Sequence, residues 1–424
     1  MRGVDEVVFP VEVNQSGRWH DVRLSEVRAF LARRRGGRAV NNANRVCYAS
    51  RNLIASCAVS QYGRLGPVRE VECLSACGRH RESSAATLAV IDILELQALP
   101  KVELHLHLDS SMSLRAVTML DPTIDRAHYE HEFKAPPKCL DLADFLRRPV
   151  RIIALMQDRR GLEVAVADVL EQLAADNVIY AELRFAPMQH LDGGLSPREV
   201  LEVVDRAVAR HSVSSGVTAS TVVCTLRHYD RLQSTSSAAL AAAFVGSTVR
   251  GFDIAADEAG FPLHSHVEAF EVAAEAGLGL TAHAGEALGP SSVRETLRRL
   301  RPTRIGHGVR CVEDAALVTE LARSRVHLEV CPTSNVQTDV VATFGDHPVD
   351  TLCQAGVSLS LSTDSRTAND TTLTLEYRRV AETFGWNAEQ FARTNREALG
   401  ASFIDRNEQN RLMSRLTAQA STNT

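Results

Sequence analysis

The chain lacks any apolar run near the roughly 18 residues that span a membrane, and its first residues lack the apolar centre of a secretion signal. It also lacks a strong charge of either sign, since the formal net charge is −5 over 424 residues. A general attraction to nucleic acid or to an anionic membrane is therefore not expected. The nine cysteines are an odd number spread along a long chain, which is typical of free thiols in a reducing compartment. We expect a cytoplasmic globular protein without a membrane partner.

Lysine is absent from residues 1–95, where arginine is dense around Arg33-Arg34-Arg35-Gly-Gly-Arg38. This change in composition predicts an N-terminal extension of unassigned fold over residues 1–95 and a separate domain over residues 96–424. A basic run is usually a solvated surface, and RNA binding is the less favoured alternative. Cys73 and Cys77 are only weak evidence for a second zinc site.

The most informative stretch is Lys101 to Asp109, which carries His105 and His107 two positions apart inside an apolar run. Residues at this spacing in a β-strand point to the same face, so the two imidazoles would project together. Imidazole nitrogen is a preferred zinc ligand, and a catalytic zinc site needs further protein ligands with one position left for water. The remaining ligands should therefore lie downstream.

Three later segments have the same form, a short apolar run that ends in a polar cluster. They lie at residues 280–286, 304–308 and 359–364. Their candidate side chains are His283, Glu286, His307 and Asp364. One such histidine alone would be unremarkable, but the joint pattern favours a metal site.

From residue 101 onwards, strand-like runs alternate with longer helical patterns, as in repeated βα units around a parallel sheet. Eight runs are expected to be strands: residues 102–108, 178–185, 220–226, 249–255, 279–283, 303–307, 326–330 and 358–363. Eight parallel strands with helical crossovers predict a (β/α)₈ TIM barrel. The polar candidates fall at or just beyond the strand ends, where such barrels build their active sites.

Residues 99 to about 400 resemble the adenosine deaminase family in five blocks that occur in the family's order. The blocks are Leu99-Pro-Lys-Val-Glu-Leu-His-Leu-His-Leu-Asp, Thr281-Ala-His-Ala-Gly-Glu286, Arg304-Ile-Gly-His-Gly308, Glu329-Val-Cys-Pro-Thr-Ser-Asn335 and Ser362-Thr-Asp364. The resemblance implies a hydrolase that deaminates adenosine or a related 6-aminopurine nucleoside to the 6-oxo product and ammonia.

The resemblance also implies that His105, His107, His283 and Asp364 bind one zinc ion per subunit. Zinc lowers the pKa of a bound water from 15.7 toward about 7, which would supply the nucleophile. His307 would take the proton of that water or stabilise the hydroxide, and Asp364 would also orient it.

Glu286 is expected to act as the acid that protonates the purine ring nitrogen as negative charge builds there. This role requires a carboxyl group that is still protonated near pH 7, and therefore an apolar, closed pocket. Leu142, Phe145 and Leu146 have helical spacing in the long insertion after the first barrel strand. They could form a lid over the substrate or simply an amphipathic packing helix.

The resemblance further implies that the substrate contacts are His107, Asp109, Ala256 and Ser365. Asp109 would bind the ribose 5′-hydroxyl and the amide of Ala256 would meet purine N3, although the family commonly has glycine there. Ser365 stands where the family has a second aspartate that bonds purine N7, and a hydroxyl can also donate to N7. The neighbouring Arg366 could bind an anionic group of a modified nucleoside or form a structural salt bridge.

Two alternatives remain open. The first is a deaminase of adenine, or of a 5′-modified nucleoside such as aminodeoxyfutalosine, and the second is a non-catalytic binding barrel. Two other motifs are set aside: His264-Ser-His266 is expected at the surface near a helix start, and His327-Leu-Glu329 lacks the cysteines of cytidine-type deaminases.

Overall fold

The computed structural model describes residues 8–13, 19–23 and 91–420. Strands β1 (Val8–Val13) and β2 (Trp19–Arg23) form an antiparallel pair. The arginine-rich run and the pair Cys73 and Cys77 lie outside the described residues. The extension over residues 1–95 and its boundary with the domain over residues 96–424 remain predictions.

Eight parallel strands form the centre of the main domain, and each pairs with the next along the chain. They are β3 (Lys101–His107), β4 (Val178–Phe185), β5 (Thr218–Leu226), β6 (Val249–Ala255), β7 (Gly279–Ala284), β8 (Arg304–His307), β9 (His327–Val330) and β10 (Leu359–Leu361). The last and first strands meet through Asp364: its N–H donates to the carbonyl of His105 (3.0 Å), and its carbonyl accepts from the N–H of His107 (2.7 Å). The predicted eight-stranded barrel is confirmed.

The strands form where apolar side chains run almost without interruption, because helices cover the outer face and side chains fill the interior. Every residue of β4 is buried, and β3 is buried up to His107. Strand β10 is shorter than the predicted 358–363 because the N–H of Thr363 donates to the Glu103 carboxylate (2.9 Å) rather than to a strand.

Sixteen α-helices are present in the described residues, and most of them surround the barrel. They are α1 (Ile93–Ala98), α2 (Leu114–Leu120), α3 (Arg126–Glu132), α4 (Leu142–Phe145), α5 (Pro149–Leu155), α6 (Arg159–Ala175), α7 (Pro197–Ser215), α8 (Arg231–Ala243), α9 (Val267–Ala276), α10 (Pro290–Leu300), α11 (Ala315–Ser324), α12 (Pro332–Gln337), α13 (Val349–Gln354), α14 (Leu373–Phe384), α15 (Ala388–Ala401) and α16 (Arg406–Ala420). Within residues 91–420, no helix combines the length and apolarity needed to cross a bilayer.

Local sequence sets the ends of these helices. Helix α7 begins after Ser196, whose hydroxyl accepts from the N–H of Glu199 while the Glu199 carboxylate accepts from the N–H of Ser196. It ends at Gly216, which adopts the left-handed φ of 74° that glycine tolerates without strain. The helical pattern in the sequence covers residues 197–211, and the helix runs four residues further, to Ser215. Its buried apolar face packs on the sheet as part of the main core.

Candidate active site

The predicted chemical residues converge at the carboxyl ends of the barrel strands. His105 and His107 lie on β3, His283 on β7 and His307 at the end of β8, while Asp364 follows β10. Glu286 follows β7 by two residues. Strands β3 and β10 are joined directly at Asp364, so groups far apart in sequence surround one point.

Four of these side chains form the candidate metal centre. The Nε2 atoms of His107 and His283 are 3.2 Å apart. Asp364 Oδ1 lies 3.5 Å from His105 Nε2 and 3.4 Å from His107 Nε2. Among the described residues, His105, His107 and His283 form a group whose ligand atoms are close enough to hold one metal ion. Nitrogen and carboxylate donors at this spacing suit zinc.

Two buried carboxylates orient His105 and His283 of the candidate metal centre. His105 Nδ1 is 2.9 Å from Glu329 Oε2, and His283 Nδ1 is 3.1 Å from Asp253 Oδ2. These contacts place a proton on each Nδ1 and leave each Nε2 with a lone pair that faces the centre. His105 Nε2 is buried and has no hydrogen-bond partner in the structure. The donor set therefore fits a bound cation.

Asp253 and Glu329 belong to a network of fully buried ion pairs, which we call the floor. Arg184 donates to Asp253 (2.7 Å) and to Glu329 (2.6 Å), and Arg304 contacts Glu329 (2.7 Å) and Glu182. Burial alone would raise the pKa of Glu329, but Arg184 and Arg304 outweigh it and hold that pKa well below its usual range. Burial acts on Asp253 in the same way, and His283 and Arg184 lower its pKa. Both carboxylates are therefore ionised.

Helix α12 and the residues after it orient His307. The N–H of Val349 is an obligatory donor to His347 Nδ1 (3.1 Å), so His347 carries its proton on Nε2 and donates it to Asn335 Oδ1 (3.2 Å). Asn335 Nδ2 then donates to His307 Nδ1 (3.0 Å). Burial lowers the pKa of His307 well below its usual range. His307 is therefore neutral, with its proton on Nε2 facing the centre.

Glu286 occupies an environment opposite to that of the floor carboxylates, at a position that we call the mouth. It is 4% exposed, and burial first, then the negative Asp364 and Glu258, raise its pKa well above the usual range. Its Oε2 lies 3.6 Å from His307 Nε2, and its Oε1 accepts from Thr338 Oγ1 (3.4 Å). Such a carboxyl group keeps its proton at neutral pH.

Glu258 fixes the loop that carries Glu286. Its carboxylate accepts from the backbone N–H groups of Gly285 (2.8 Å), Glu286 (3.0 Å) and Leu288 (3.0 Å). Three amide donors on one buried carboxylate hold the loop in a single conformation. The position of Glu286 is thereby set from its backbone.

Three residues at the site have the left-handed backbone conformation that residues other than glycine rarely adopt. The φ angles are 76° at Ala256, 60° at His307 and 63° at Asp364. Conformations of this kind cost about 1–3 kcal/mol and persist where the surroundings determine them. At Asp364 the two backbone hydrogen bonds to β3 impose the conformation.

A cavity of about 290 Å³, which we call the catalytic cavity, lies at the candidate metal centre. Its lining combines the polar site residues with apolar side chains from α4, from α5 and from Leu146 in the loop between these helices. The apolar group consists of Leu142, Phe145, Leu146, Pro149, Val150 and Ile153. The predicted lid helix therefore does lie over the site, where it can exclude water.

The predicted substrate contacts His107, Asp109, Ala256 and Ser365 all line the catalytic cavity. Burial raises the pKa of Asp109 to about 7 although backbone hydrogen bonds oppose the shift. Ser110 Oγ donates to Ser365 Oγ (2.7 Å), which leaves the Ser365 hydroxyl proton available to a ligand.

Of the two alternatives for Arg366, the structure favours the salt bridge: Arg366 is buried and donates to Glu103 (2.9 Å) and Asp176 (2.9 Å). One prediction needs correction, because His266 is buried and not at the surface. Its ring nitrogens contact Ser234 Oγ (2.9 Å) and the Arg227 carbonyl (3.1 Å), partners that are remote in sequence.

Sequence reasoning missed the residues that hold the functional side chains. Asp253 and Glu329 are charged residues inside buried strands. Because a buried charge needs a partner, their positions in apolar runs could have indicated that they pair with other buried groups. Asn335 and Ser334 lie within a recognised block, but their targets could be found only from the structure. Ser334 Oγ donates to Asp364 Oδ2 (2.6 Å).

A TIM barrel with histidines and an aspartate gathered at the carboxyl ends of its strands is the architecture of a metal-dependent hydrolase. The family model for adenosine deaminase matches residues 100–419. The chain is 35% identical over 332 residues to the adenosine deaminase of Lacticaseibacillus casei (strain BL23), which covers 77% of this chain and 98% of that protein. It is 36% identical over 333 residues to that of Mycobacterium leprae (strain TN), covering 72% and 90%.

The chain therefore belongs to the adenosine deaminase family, and it is a hydrolase that acts on carbon–nitrogen bonds of cyclic amidines. Among solved structures, the adenine deaminase of Arthrobacter aurescens has a TM-score of 0.70 and 25% identity, covering 76% of this chain and 99% of that one. The Arabidopsis N6-mAMP deaminase has a TM-score of 0.69 and 25% identity, with the same two coverages.

Proposed function

We propose that the chain hydrolyses adenosine, or a closely related 6-aminopurine nucleoside, to the 6-oxo nucleoside and ammonia in a zinc-dependent reaction. The observation that carries the proposal is the meeting of two groups of side chains in one cavity. One is the set His105, His107, His283 and Asp364, and the other is the buried Glu286, which retains its proton.

His105, His107, His283 and Asp364 would hold one zinc ion per subunit. When bound, zinc supplies the Lewis acidity that activates a water molecule at neutral pH. Asp364 Oδ2 is engaged by Ser334, and its Oδ1 is directed toward His105 and His107. Asp364 can therefore act as ligand and orienting group together.

His307 would act as a hydrogen-bond donor. Its Nδ1 is occupied by Asn335 and its proton lies on Nε2, so the Nε2 atom cannot accept a proton from water unless this proton leaves first. Of the two roles expected for His307, the stabilisation of negative charge is favoured over general-base catalysis.

Glu286 would donate its proton to the purine nitrogen beside the carbon that bears the amine. Negative charge develops at that nitrogen during the attack, and proton transfer from a positioned acid is worth about 10²–10⁴-fold. Because the pKa of Glu286 is raised, the active protonated form persists at neutral pH. Activity should fall as the pH rises through that raised pKa.

The remaining cavity side chains would select the substrate. Asp109 would accept from the ribose 5′-hydroxyl, the amide of Ala256 would meet purine N3, and Ser365 would donate to N7. Adenine or a 5′-modified adenine nucleoside is the second candidate substrate. It is favoured by three departures from the family pattern: Ser110 and Ala256 stand where the family commonly has glycine, and Ser365, whose hydroxyl contacts that of Ser110, replaces an aspartate.

A substrate panel tests the proposal directly. Purified zinc-loaded protein is mixed with adenosine, 2′-deoxyadenosine, adenine and AMP, and the absorbance change from amino- to oxopurine is followed. We expect the highest kcat/KM with adenosine or 2′-deoxyadenosine. A preference for adenine or AMP by tenfold or more would favour the second candidate, and the absence of any turnover would contradict deamination.

The compartment is proposed from cysteine chemistry. The five cysteines at positions 139, 224, 311, 331 and 353 are all buried and free. Buried free thiols suit a reducing compartment such as the cytoplasm.

A further inference from the structure

A second cavity of about 760 Å³ lies between helix α12 and Arg148, which adjoins the lid formed by α4 and α5. Its walls come from residues 130–137, from Arg148 at the start of α5, from one side of α12 and from the loop at Asn369. We infer that this second cavity binds a small anionic molecule that also carries hydroxyl or amino groups, such as a sugar phosphate.

The anionic part follows from the cationic side chains in the walls. Arg148 forms no side-chain ion pair or hydrogen bond within the part of the chain that the structure describes, and its Nε is buried. Arg379 uses only Nη1 for its contacts with Thr333 (2.6 Å), Thr371 (2.9 Å) and the buried Glu376 carboxylate (3.4 Å), so its Nε and Nη2 remain available to a ligand. Two guanidinium groups facing one cavity suit a phosphate or carboxylate.

The hydrogen-bonding part follows from unsatisfied acceptors. Asn369 Oδ1 and Gln337 Oε1 are buried and have no hydrogen-bond partner in the structure, although both residues line the second cavity. The Asn369 amide is fixed at its other end, because Nδ2 donates to the Thr363 carbonyl (2.8 Å). Buried acceptors without a donor are costly, and a ligand hydroxyl or amine could satisfy them after a small local movement.

The acidic residues in the walls of the second cavity do not neutralise the positive charge of its two arginines. Asp370 is 66% exposed and already contacts Lys134 (2.9 Å), while Glu130 is 49% exposed and pairs with Arg126. Solvent screens exposed carboxylates more strongly than half-buried guanidinium groups.

The two cavities share structural elements, so occupancy of one should affect the other. In α12, Thr333 and Gln337 line the second cavity, whereas Ser334 and Asn335 hold Asp364 and His307. Asn369 donates its N–H to the Ser365 carbonyl (2.9 Å). Arg148 lies between lid residues that cover the catalytic cavity. A ligand that joins Arg148 to Arg379 would therefore link the lid to the barrel, and the coupling must be reciprocal.

Isothermal titration calorimetry of the full chain with ribose 5-phosphate, inorganic phosphate and ribose tests this inference. Ribose 5-phosphate should bind most tightly, phosphate about tenfold more weakly, and ribose not measurably at millimolar concentration. Arg148→Gln should weaken ribose 5-phosphate binding by at least about tenfold, because a charge-assisted contact is lost. Arg148→Lys, which keeps the charge, should lose less, and Gln337→Glu should repel the anion.

Matched controls separate this cavity from the catalytic cavity. Arg147→Gln changes the neighbouring exposed arginine and should leave the dissociation constant within about twofold of the wild type. Glu286→Gln should also leave it unchanged, whether or not the chain deaminates adenosine. The inference is overturned if neither phosphate probe binds, if Arg148→Gln binds like the wild type, or if Glu286→Gln abolishes binding.

Discussion

The floor and the mouth of the barrel use the same kind of side chain in opposite states. At the floor, Glu329 is fully buried between Arg184 and Arg304, and these cations keep it ionised. At the mouth, Glu286 is buried beside the negative Asp364 and Glu258 with no Arg or Lys paired to it among the described residues, and it keeps its proton. Burial is common to both carboxyl groups, and the neighbouring charge decides which form each one adopts.

This difference in neighbouring charge allows one barrel to hold the candidate metal ligands and a protonated carboxyl group close together. An ionised floor keeps the Nδ1 protons on His105 and His283 and their Nε2 lone pairs free for a cation. An uncharged mouth supplies a proton donor next to the same centre. A substitution at the mouth should therefore affect catalysis, whereas substitutions at the floor should affect stability and metal affinity.

The largest effect should come from the mouth. Glu286→Gln keeps the shape of the side chain but removes its transferable proton, and we expect kcat to fall by about 10³-fold. The zinc content, measured by elemental analysis, should remain that of the wild type. A variant that retained activity within tenfold would show that Glu286 is not the acid.

The second largest effect should be on the free energy of unfolding, when an arginine of the floor is replaced. Arg184→Met leaves Asp253 and Glu329 buried without their shared cation, and the free energy of unfolding should fall by about 3–5 kcal/mol. Urea denaturation monitored by circular dichroism gives the value. The same substitution at Arg378, an exposed residue paired with Glu382, should cost less than about 1 kcal/mol. Equal costs for both substitutions would argue against the buried network.

A smaller effect should come from the contact between Asp253 of the floor and His283, a candidate zinc ligand. Asp253→Asn weakens the orientation of His283, and we expect the affinity for zinc to fall by about 10–100-fold. Competition with a chromogenic chelator measures that affinity. Asp257→Asn is the control, because Asp257 also lines the catalytic cavity but bonds the backbone of Ala259 and Gly260. A similar loss in both variants would contradict a specific role for Asp253.

The smallest effect on catalysis should come from Ser365, which lines the catalytic cavity and is proposed to contact purine N7. Ser365→Ala removes one neutral hydrogen bond and should lower kcat/KM for adenosine by about two- to tenfold. With 7-deazaadenosine, which lacks the N7 acceptor, wild type and variant should have the same kcat/KM. An equal loss on both substrates would show that Ser365 does not contact N7.

Much of the fold could be predicted from the sequence, because strands buried on both faces are nearly continuous apolar runs between turn residues. The spacing of His105 and His107 and the positions of His283, His307 and Asp364 after such runs also placed the candidate site. The second layer of contacts could not be predicted. The partners of His266 and Arg366 come from distant parts of the chain, and burial depends on that pairing.

The shorter final strand and the orientation of His307 have the same origin. Glu103 withdraws Thr363 from the sheet, and the hydrogen-bond chain from Val349 through His347 and Asn335 decides which nitrogen of His307 carries the proton. Both depend on the geometry of groups that no local pattern connects.

Reconstitution with zinc shows whether turnover depends on one bound metal ion per chain. The protein is stripped with a chelator, its zinc content is measured, and adenosine turnover is followed as zinc is returned in steps. We expect activity to be lost with the metal and to rise linearly to a plateau at one equivalent per chain, whereas His283→Ala should gain none. Full turnover by protein that holds almost no metal would exclude a zinc-dependent reaction.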